Sequence, residues 1–210
     1  MNAPSSHWMI FITYRIRDGA DDDGYDDWLR KIDNPFFNAI PGIKRYTNWK
    51  VHDSRRPLPF THFDFLEIDN VEELETVWFN PDLNAFRTEW VRLWGRGVPD
   101  PDNAQCCLCE AEASTAPTAN LVVFPGADGA PADATPWTTR ELLHKHYALG
   151  PSDSWRTTDI GARAAQFARF AVQFTTAPQD AAAIAKTAPD AARAFSASLI
   201  AAPPWFTKDK

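Results

Sequence analysis

The segment PFTHFDFLEIDNVEEL at residues 59–74 decides the fold of this chain. Its first half is rich in aromatic and branched residues and follows a proline-containing loop, which predicts a β-strand. The pair Asp69-Asn70 and the two glutamates that follow are typical of a helix cap and an acidic first turn. The segment therefore predicts a strand that leads directly into a helix.

The two faces of this strand differ in chemistry. Side chains alternate across a strand, so His62, Asp64 and Leu66 share one face while Phe63 and Phe65 occupy the other. We expect the phenylalanines to pack under helices, which leaves an imidazole and a carboxylate on the opposite surface. Two unlike titratable groups on one face are suited to proton transfer.

The composition limits the class of protein. The chain has 210 residues, of which 44% are hydrophobic and 13% aromatic, and this is enough for a packed globular core. A net charge of −7 without a Lys/Arg-rich run argues against nucleic acid or an anionic membrane as a partner. The first residues lack a signal sequence and no apolar run approaches a membrane span, so we expect a cytoplasmic protein.

The three cysteines crowd into one short segment. Cys106, Cys107 and Cys109 are too close together for an ordinary disulfide. We interpret them as small apolar residues of a buried strand in a reducing compartment, and we predict no metal site. Neither a Gly-rich phosphate loop nor a Gly-x-Ser-x-Gly turn is present, and we predict no cofactor.

The first half of the chain has the element order β-α-β-β-α-β, which is the ferredoxin-like pattern. Asn80-Pro81 is expected to divide the second helix, and the first helix either stops near Asp33-Asn34-Pro35 or resumes through Phe36-Phe37. The predicted elements are strands at 8–16, 43–51, 60–68 and 105–112 and helices at 25–32 and 71–94.

The second half repeats this order in a fainter form after a linker at residues 114–119. When the halves are aligned, Phe63 matches Phe170 and Asp64 matches Ala171, so the scaffold repeats and the polar pair does not. The predicted elements are strands at 121–124, 154–160, 167–175 and 195–201 and helices at 138–149 and 178–188.

These elements predict an α+β protein made of two tandem ferredoxin-like repeats. Residues 1–113 form the first repeat and residues 120–210 the second, degenerate one. A four-stranded antiparallel sheet with both helices on one face leaves an apolar face uncovered. We expect the two repeats to close on each other as one intramolecular α/β barrel, whose interior is the natural pocket.

The first half resembles the dimeric α+β barrel superfamily. The resemblance rests on the element order, on Phe60-Thr61-His62 at the start of the third strand and on the run YDDWLRKIDNP at residues 25–35. That run is similar to the Arg-Glu-x-Asp-Tyr-Pro signature of the REDY-like, HapK-type branch, with Lys31 in place of Glu and Asn34 in place of Tyr. The Thr-His pair resembles stress-responsive barrel domains and olivetolic acid cyclase. This resemblance implies cofactor-free acid/base chemistry at His62.

Further candidates lie on the first two strands. Phe11, Thr13 and Arg15 share one face of the first strand, where we expect Phe11 and Thr13 to contact a substrate. Arg15 would bind an anion or pair with Asp64, or else lie solvated at the rim.

The second strand carries Tyr46 and Asn48 on one face. Tyr46 would act as a general acid or form an amphipathic wall, and Asn48 and Leu66 would contact the substrate.

These features predict a cofactor-independent lyase, isomerase or cyclase acting on a small, mostly apolar, aromatic or polyketide-like substrate. His62 would be the base, Asp64 would orient its ring, and Tyr46 or Arg15 would stabilise an oxyanion. The alternatives are a haem- or oxygen-dependent oxidoreductase of the same superfamily and a non-catalytic binding module. We expect a monomer or a homodimer with a small-molecule substrate as its partner.

Overall fold

In the described part of the chain, eight antiparallel strands form a closed barrel in the order β1-β3-β2-β8-β5-β7-β6-β4. The computed structural model describes residues 7–70, 77, 81–96, 104–111, 118–125, 130–131, 134–139, 169–189 and 194–206. The strands are β1 His7–Tyr14, β2 Ile43–Ser54, β3 His62–Ile68, β4 Ala104–Ala111, β5 Asn120–Pro125, β6 Thr135–Thr139, β7 Arg169–Thr175 and β8 Phe195–Ala201. The predicted mixed α/β class with an antiparallel sheet is confirmed.

Helical segments cover the outside of the sheet. They are α1 Tyr25–Trp28, a π-helix Leu29–Asp33, α2 Asn34–Asn38, α3 Pro81–Trp94 and α4 Pro178–Thr187. The first three run without interruption, so the alternative in which the first helix resumes through Phe36-Phe37 is confirmed. α3 begins at the predicted break, because proline is tolerated in the first turn of a helix. None of the described helices is long and apolar enough to cross a membrane.

The two halves of the chain have the same strand order. The first half is arranged β4-β1-β3-β2 and the second half β8-β5-β7-β6. The halves join where β2 pairs with β8 and where β4 pairs with β6, and all these pairings are antiparallel. Every strand edge in the barrel is therefore paired, which protects the sheet from association through a free edge.

β6 differs from the sequence-based expectation. A helix was predicted to begin at Thr138, but Thr138 and Thr139 belong to β6 and pair with Glu110 and Cys109 of β4. A threonine is a good helix cap, yet pairing between the two halves outweighs this local preference. The rest of that predicted helix and the predicted strand at 154–160 lie outside the described residues.

The barrel interior is filled with aromatic and aliphatic side chains from both halves. The rings of Phe11 and Phe170 have centroids 4.9 Å apart, and Trp49 stacks on Phe63 at 6.1 Å. The buried members of this core are Met9, Phe11, Trp49, Phe60, Phe63, Phe65, Cys109, Leu121, Val123, Phe170, Val172, Phe195 and Ala197. The prediction that Phe63 and Phe65 pack under helices is therefore wrong.

A second core lies between the outer face of β1–β3 and the helices. Tyr14, Tyr46 and Leu66 from the strands pack there with Tyr25 and Leu29 from the helical segment at 25–38. Because side chains alternate along β3, His62 and Asp64 lie on this outer face with Leu66. The prediction that they lie on the face opposite to the helices is wrong, and the phenylalanines of the same strand fill the barrel interior that was expected to be the pocket.

Candidate functional site

The candidate site is a buried polar cluster on the outer face of β1, β2 and β3, beneath the helical segment at 25–38. The strand register sets its geometry. Asp64 pairs with Asn48 of β2, and His62 pairs with Tyr14 of β1 and with Lys50 of β2. Five polar or aromatic side chains thus project from two adjacent rows of the sheet.

Asp64 accepts three hydrogen bonds from neighbouring strands. The hydroxyl of Tyr14 donates to Oδ1 at 3.1 Å, Asn48 Nδ2 donates to Oδ1 at 3.0 Å, and the hydroxyl of Tyr46 donates to Oδ2 at 2.7 Å. Burial raises the pKa of Asp64 above its usual value, and the nearby Asp33 carboxyl raises it further. The three donors oppose that rise by stabilising the carboxylate.

Asp33 brings a second buried carboxyl to the cluster. It ends the π-helix, and its Oδ2 accepts a hydrogen bond from Asn48 Nδ2 at 2.8 Å. Burial raises the pKa of Asp33 to about 7, although hydrogen bonds from Asn48 and Tyr46 lower it in part. Single-turn π-helices occur often at functional sites, and here the π-helix leads to a buried acid.

His62 is buried with one ring nitrogen unpaired. Its Nδ1 lies 2.9 Å from Thr61 Oγ1, whereas Nε2 has no hydrogen-bond partner among the described residues. The ring stacks on Tyr14 with centroids 5.7 Å apart and meets Tyr25 edge-on at 5.4 Å. The two aromatic rings hold the imidazole in one orientation, and a buried unpaired nitrogen is a costly feature that calls for a functional explanation.

A charged group borders His62 on the solvent side. The Lys50 ammonium lies 2.8 Å from Asp21 Oδ1 and 3.9 Å from Asp26 Oδ1. Burial and, to a smaller extent, the charges of Lys50 and His52 lower the pKa of His62 to about 4, while Asp21 acts in the opposite direction. His62 is therefore neutral at pH 7.

The same corner offers donors that suit a cation. One oxygen each from Asp21 and Asp26 and a ring nitrogen of His62 lie within 4.8 Å of one another. The Lys50 ammonium already forms an ion pair with Asp21, so a metal ion would have to compete with this side chain. A protein cation thus already lies between the two carboxylates.

The structure brings together five of the predicted site residues. His62, Asp64, Tyr46, Asn48 and Leu66 lie on one face of β2 and β3 and are buried. The predicted contact between Asp64 and His62 is not formed, because His62 Nδ1 meets Thr61 and the Asp64 oxygens accept from Tyr14, Tyr46 and Asn48.

Three predicted residues lie elsewhere. Phe11 is part of the barrel core, and Thr13 shares its face of β1, so neither meets the Asp64 cluster. Arg15 follows the end of β1 and is exposed, as in the alternative of a solvated rim residue. All three residues are separate from the polar cluster because the cluster lies on the outer face of the sheet.

Sequence reasoning missed Tyr14, Asp33 and Lys50. Tyr14 lies on the face of β1 opposite to Phe11, so the error in assigning the faces hid it. Asp33 is the Asp of the similarity to the Arg-Glu-x-Asp-Tyr-Pro signature, and this was the signal that could have identified it. Lys50 becomes a neighbour of His62 only through the β2–β3 register, which local sequence does not encode.

The family comparison concerns the part of the chain that carries this cluster. Residues 8–95 match the family model of the REDY-like protein HapK. The resemblance to the HapK-type branch predicted from the sequence is confirmed over this segment. The matched residues include β1 from Trp8 onwards, β2, β3 and the helical segment at 25–38, and thus every residue of the cluster.

Solved structures give more distant similarities. A chlorite dismutase-like protein is 10% identical, with 93% of this chain and 95% of that chain covered at a TM-score of 0.46. An anthrone oxidase-like protein is 10% identical. The match covers 95% of this chain and 93% of that protein, at a TM-score of 0.47. An ethyl tert-butyl ether (EthD) family protein from Bacillus halodurans is 14% identical. The match covers 49% of this chain and 95% of that protein, at a TM-score of 0.39. A search of curated proteins found no match.

Proposed function

We propose that this protein is a cofactor-independent lyase, isomerase or cyclase in which His62 removes a proton from a small, mostly apolar substrate. The observation that carries the proposal is the buried Nε2 of His62, which has no hydrogen-bond partner among the described residues. A general base needs an unprotonated nitrogen that is free to accept a proton. Aromatic or polyketide-like compounds suit a site walled by Tyr14 and Tyr25.

The protonation state of His62 supports this role. Burial and the Lys50 charge hold its pKa near 4, so the neutral form predominates at physiological pH. The same environment makes the imidazolium costly until a negative charge develops beside it. An oxyanion on the substrate would supply that charge, which links proton removal to the reacting molecule.

The proposed step is balanced in protons and electrons. His62 Nε2 takes a proton from a hydroxyl or from a carbon next to a carbonyl, and the electron pair of that bond moves onto the substrate oxygen. The imidazolium then returns the proton to the substrate at another position or to the leaving group. His62 ends the cycle neutral, and no electron acceptor is needed.

Lys50 takes over the role that was first assigned to Arg15 or Tyr46. Its ammonium lies at the same corner as His62, whereas Arg15 is exposed and the hydroxyl of Tyr46 donates to Asp64. A cation at this corner would stabilise the developing oxyanion. Asp64 would have an indirect role. It accepts a hydrogen bond from the Tyr14 hydroxyl and so would hold the Tyr14 ring in its stack against His62.

The organisation of the chain is also part of the proposal. We take residues 1–113 as an active repeat, 114–119 as a linker and 120–210 as a degenerate repeat that closes the barrel. The matching strand orders of the two halves support this division. The cysteines clustered on β4 suit a reducing compartment such as the cytoplasm, and a monomer or a homodimer would be compatible with a closed barrel.

The test is a substrate screen with matched variants. Aromatic and polyketide-like ketones and phenols are incubated with the wild-type protein, with His62→Gln and with His7→Gln as the control. Turnover by the wild type and His7→Gln, together with loss of at least 100-fold in His62→Gln, is the expected result, since general bases contribute roughly 100- to 10,000-fold. Equal turnover by His62→Gln would refute the proposal, and a Soret band in the purified protein would support the haem alternative.

A further inference from the structure

Asp33 is a buried acid that the proposed proton transfer does not use. It is 3% exposed, and Asp64 is 4% exposed. A single amide nitrogen, Asn48 Nδ2, lies 2.8 Å from Asp33 Oδ2 and 3.0 Å from Asp64 Oδ1. One donor group therefore holds two buried carboxyls against each other.

A ladder of amides fixes this arrangement. Asn34 Nδ2 donates to Asn48 Oδ1 at 2.9 Å, so the Nδ2 end of the Asn48 amide must face the two acids. Asn34 is itself held, because its Oδ1 accepts from Asn38 Nδ2 at 3.0 Å and its Nδ2 donates to the Tyr46 carbonyl at 3.0 Å. The orientation of the Asn48 amide is thus set by Asn34, which is held in turn by Asn38.

Two carboxylates cannot easily both be charged in such a place. Like charges at short range in a poorly hydrated site raise the cost of the second ionisation, and paired carboxyls elsewhere share one proton for this reason. The ionisable groups around the pair are Tyr14, Tyr25 and Tyr46, with His62 next to Tyr14 and Arg87 close to Tyr46. Burial raises the pKa of each of these tyrosines, so they remain neutral, and Tyr14 and Tyr46 donate to Asp64.

We propose that Asp33 and Asp64 form a carboxyl pair that holds one proton at neutral pH, bridged by Asn48. The pair then carries a single negative charge, and the ring of Tyr14 lies between this charge and His62. Asp33 is a positioning residue, because it does not touch His62 directly. It changes the charge on Asp64, which contacts the Tyr14 ring that stacks on His62. The role in turnover rests on the proposed function, whereas the shared proton does not, so the two can fail separately.

Infrared spectroscopy of the carboxyl groups tests the pair without any substrate. The wild-type protein is expected to retain a protonated-carboxyl band at neutral pH that vanishes only as the pH rises above about 7. In Asp33→Asn the titration of Asp64 should move to lower pH, because the neighbouring negative charge is gone. Asp33→Glu should restore a two-step titration, which a merely structural loss at this position would not do. Asp180→Asn, a change in an exposed acid on α4, is the charge-matched control.

Two outcomes would overturn the proposal. The first is a wild-type protein in which all carboxyl bands vanish by about pH 5, the range of ordinary acidic side chains. The second is an Asp64 titration that is the same in Asp33→Asn as in the wild type. If Asp33→Asn fails to fold, the wild-type spectrum and the variant Asn48→Ala still decide the question. Asn48→Ala removes the bridging amide and keeps both acids, so it should shift the two-step titration of the carboxyl pair. An unchanged titration in this variant would contradict the bridging role of Asn48.

Discussion

His62 and Lys50 are direct cross-strand partners in the register of β3 and β2. The imidazole is buried, its Nε2 has no hydrogen-bond partner in the part of the chain that the structure describes, and the Lys50 ammonium lies 2.8 Å from Asp21 Oδ1. This relationship joins a neutral base to a fixed positive charge, and it determines how the site should respond to mutation and to pH.

Replacement of Lys50 should raise the pKa of His62. In Lys50→Met the positive charge that opposes the imidazolium is lost, while Asp21, which favours it, remains. An NMR titration of the histidine ring protons should show an increase from about 4 towards the ordinary value. Lys44→Met, an exposed position on the same strand, is the control, and an unchanged His62 pKa in Lys50→Met would contradict the proposed electrostatics.

The stability of the protein should fall in acid because of His62. Its folded-state pKa of about 4 lies below the ordinary value of about 6.5, so the unfolded chain binds more protons between these pH values. This stability is fully present above about pH 6.5 and is lost as the pH falls towards 4, by up to about 3 kcal/mol. Urea unfolding at several pH values should show a smaller acid loss in His62→Phe. A slope identical to that of the wild type would count against a buried neutral His62.

Asp33 should have the opposite effect at higher pH. Its folded-state pKa of about 7 lies above the ordinary value, so the folded protein holds the extra proton and loses stability as the pH rises from about 4 to about 7. In Asp33→Asn this loss should be reduced, and the variant should gain stability relative to the wild type between pH 5 and pH 8. The comparison uses thermal or urea unfolding at both pH values, with Asp180→Asn as the control. A constant difference between variant and wild type would argue for an Asp33 that is already ionised.

The barrel core should be sensitive to truncation of Phe63. This ring is fully buried among Phe11, Trp49, Phe65 and Phe195, so Phe63→Ala should cost roughly 3–5 kcal/mol in the free energy of unfolding. Ile32→Ala, at an exposed position of the π-helix, should change stability by less than about 0.5 kcal/mol. Urea unfolding measures both. A small effect at Phe63 would mean that this face of β3 is not the packed interior.

The sequence predicted the strands of the first half well, because their aromatic and branched composition is a local signal, as is the break at Asn80-Pro81. It also identified His62, Asp64, Tyr46 and Asn48 as one group, since strand alternation places residues two apart on one side. It assigned the wrong side of β3 to the helices, because both faces of this strand are buried. Only the packing of the second half against Phe63 and Phe65 settles that question.

Lys50 and Asp33 lay beyond local reasoning for a different reason. Lys50 reaches His62 through the β2–β3 register, and Asp33 reaches Asp64 through Asn48, so both contacts depend on pairing between segments far apart in sequence. The β6 strand was mispredicted for the same reason, since its partners on β4 and β7 are distant in the chain.

The most direct test of the central claim is hydrogen exchange on a bound substrate. Enolisable aromatic and polyketide-like ketones are incubated in deuterated water with the wild type, His62→Gln and His7→Gln, and deuterium uptake is followed by mass spectrometry. The account predicts that the wild type and His7→Gln accelerate uptake next to the carbonyl of at least one compound and that His62→Gln does not. Uptake at equal rates with wild type and His62→Gln would contradict it.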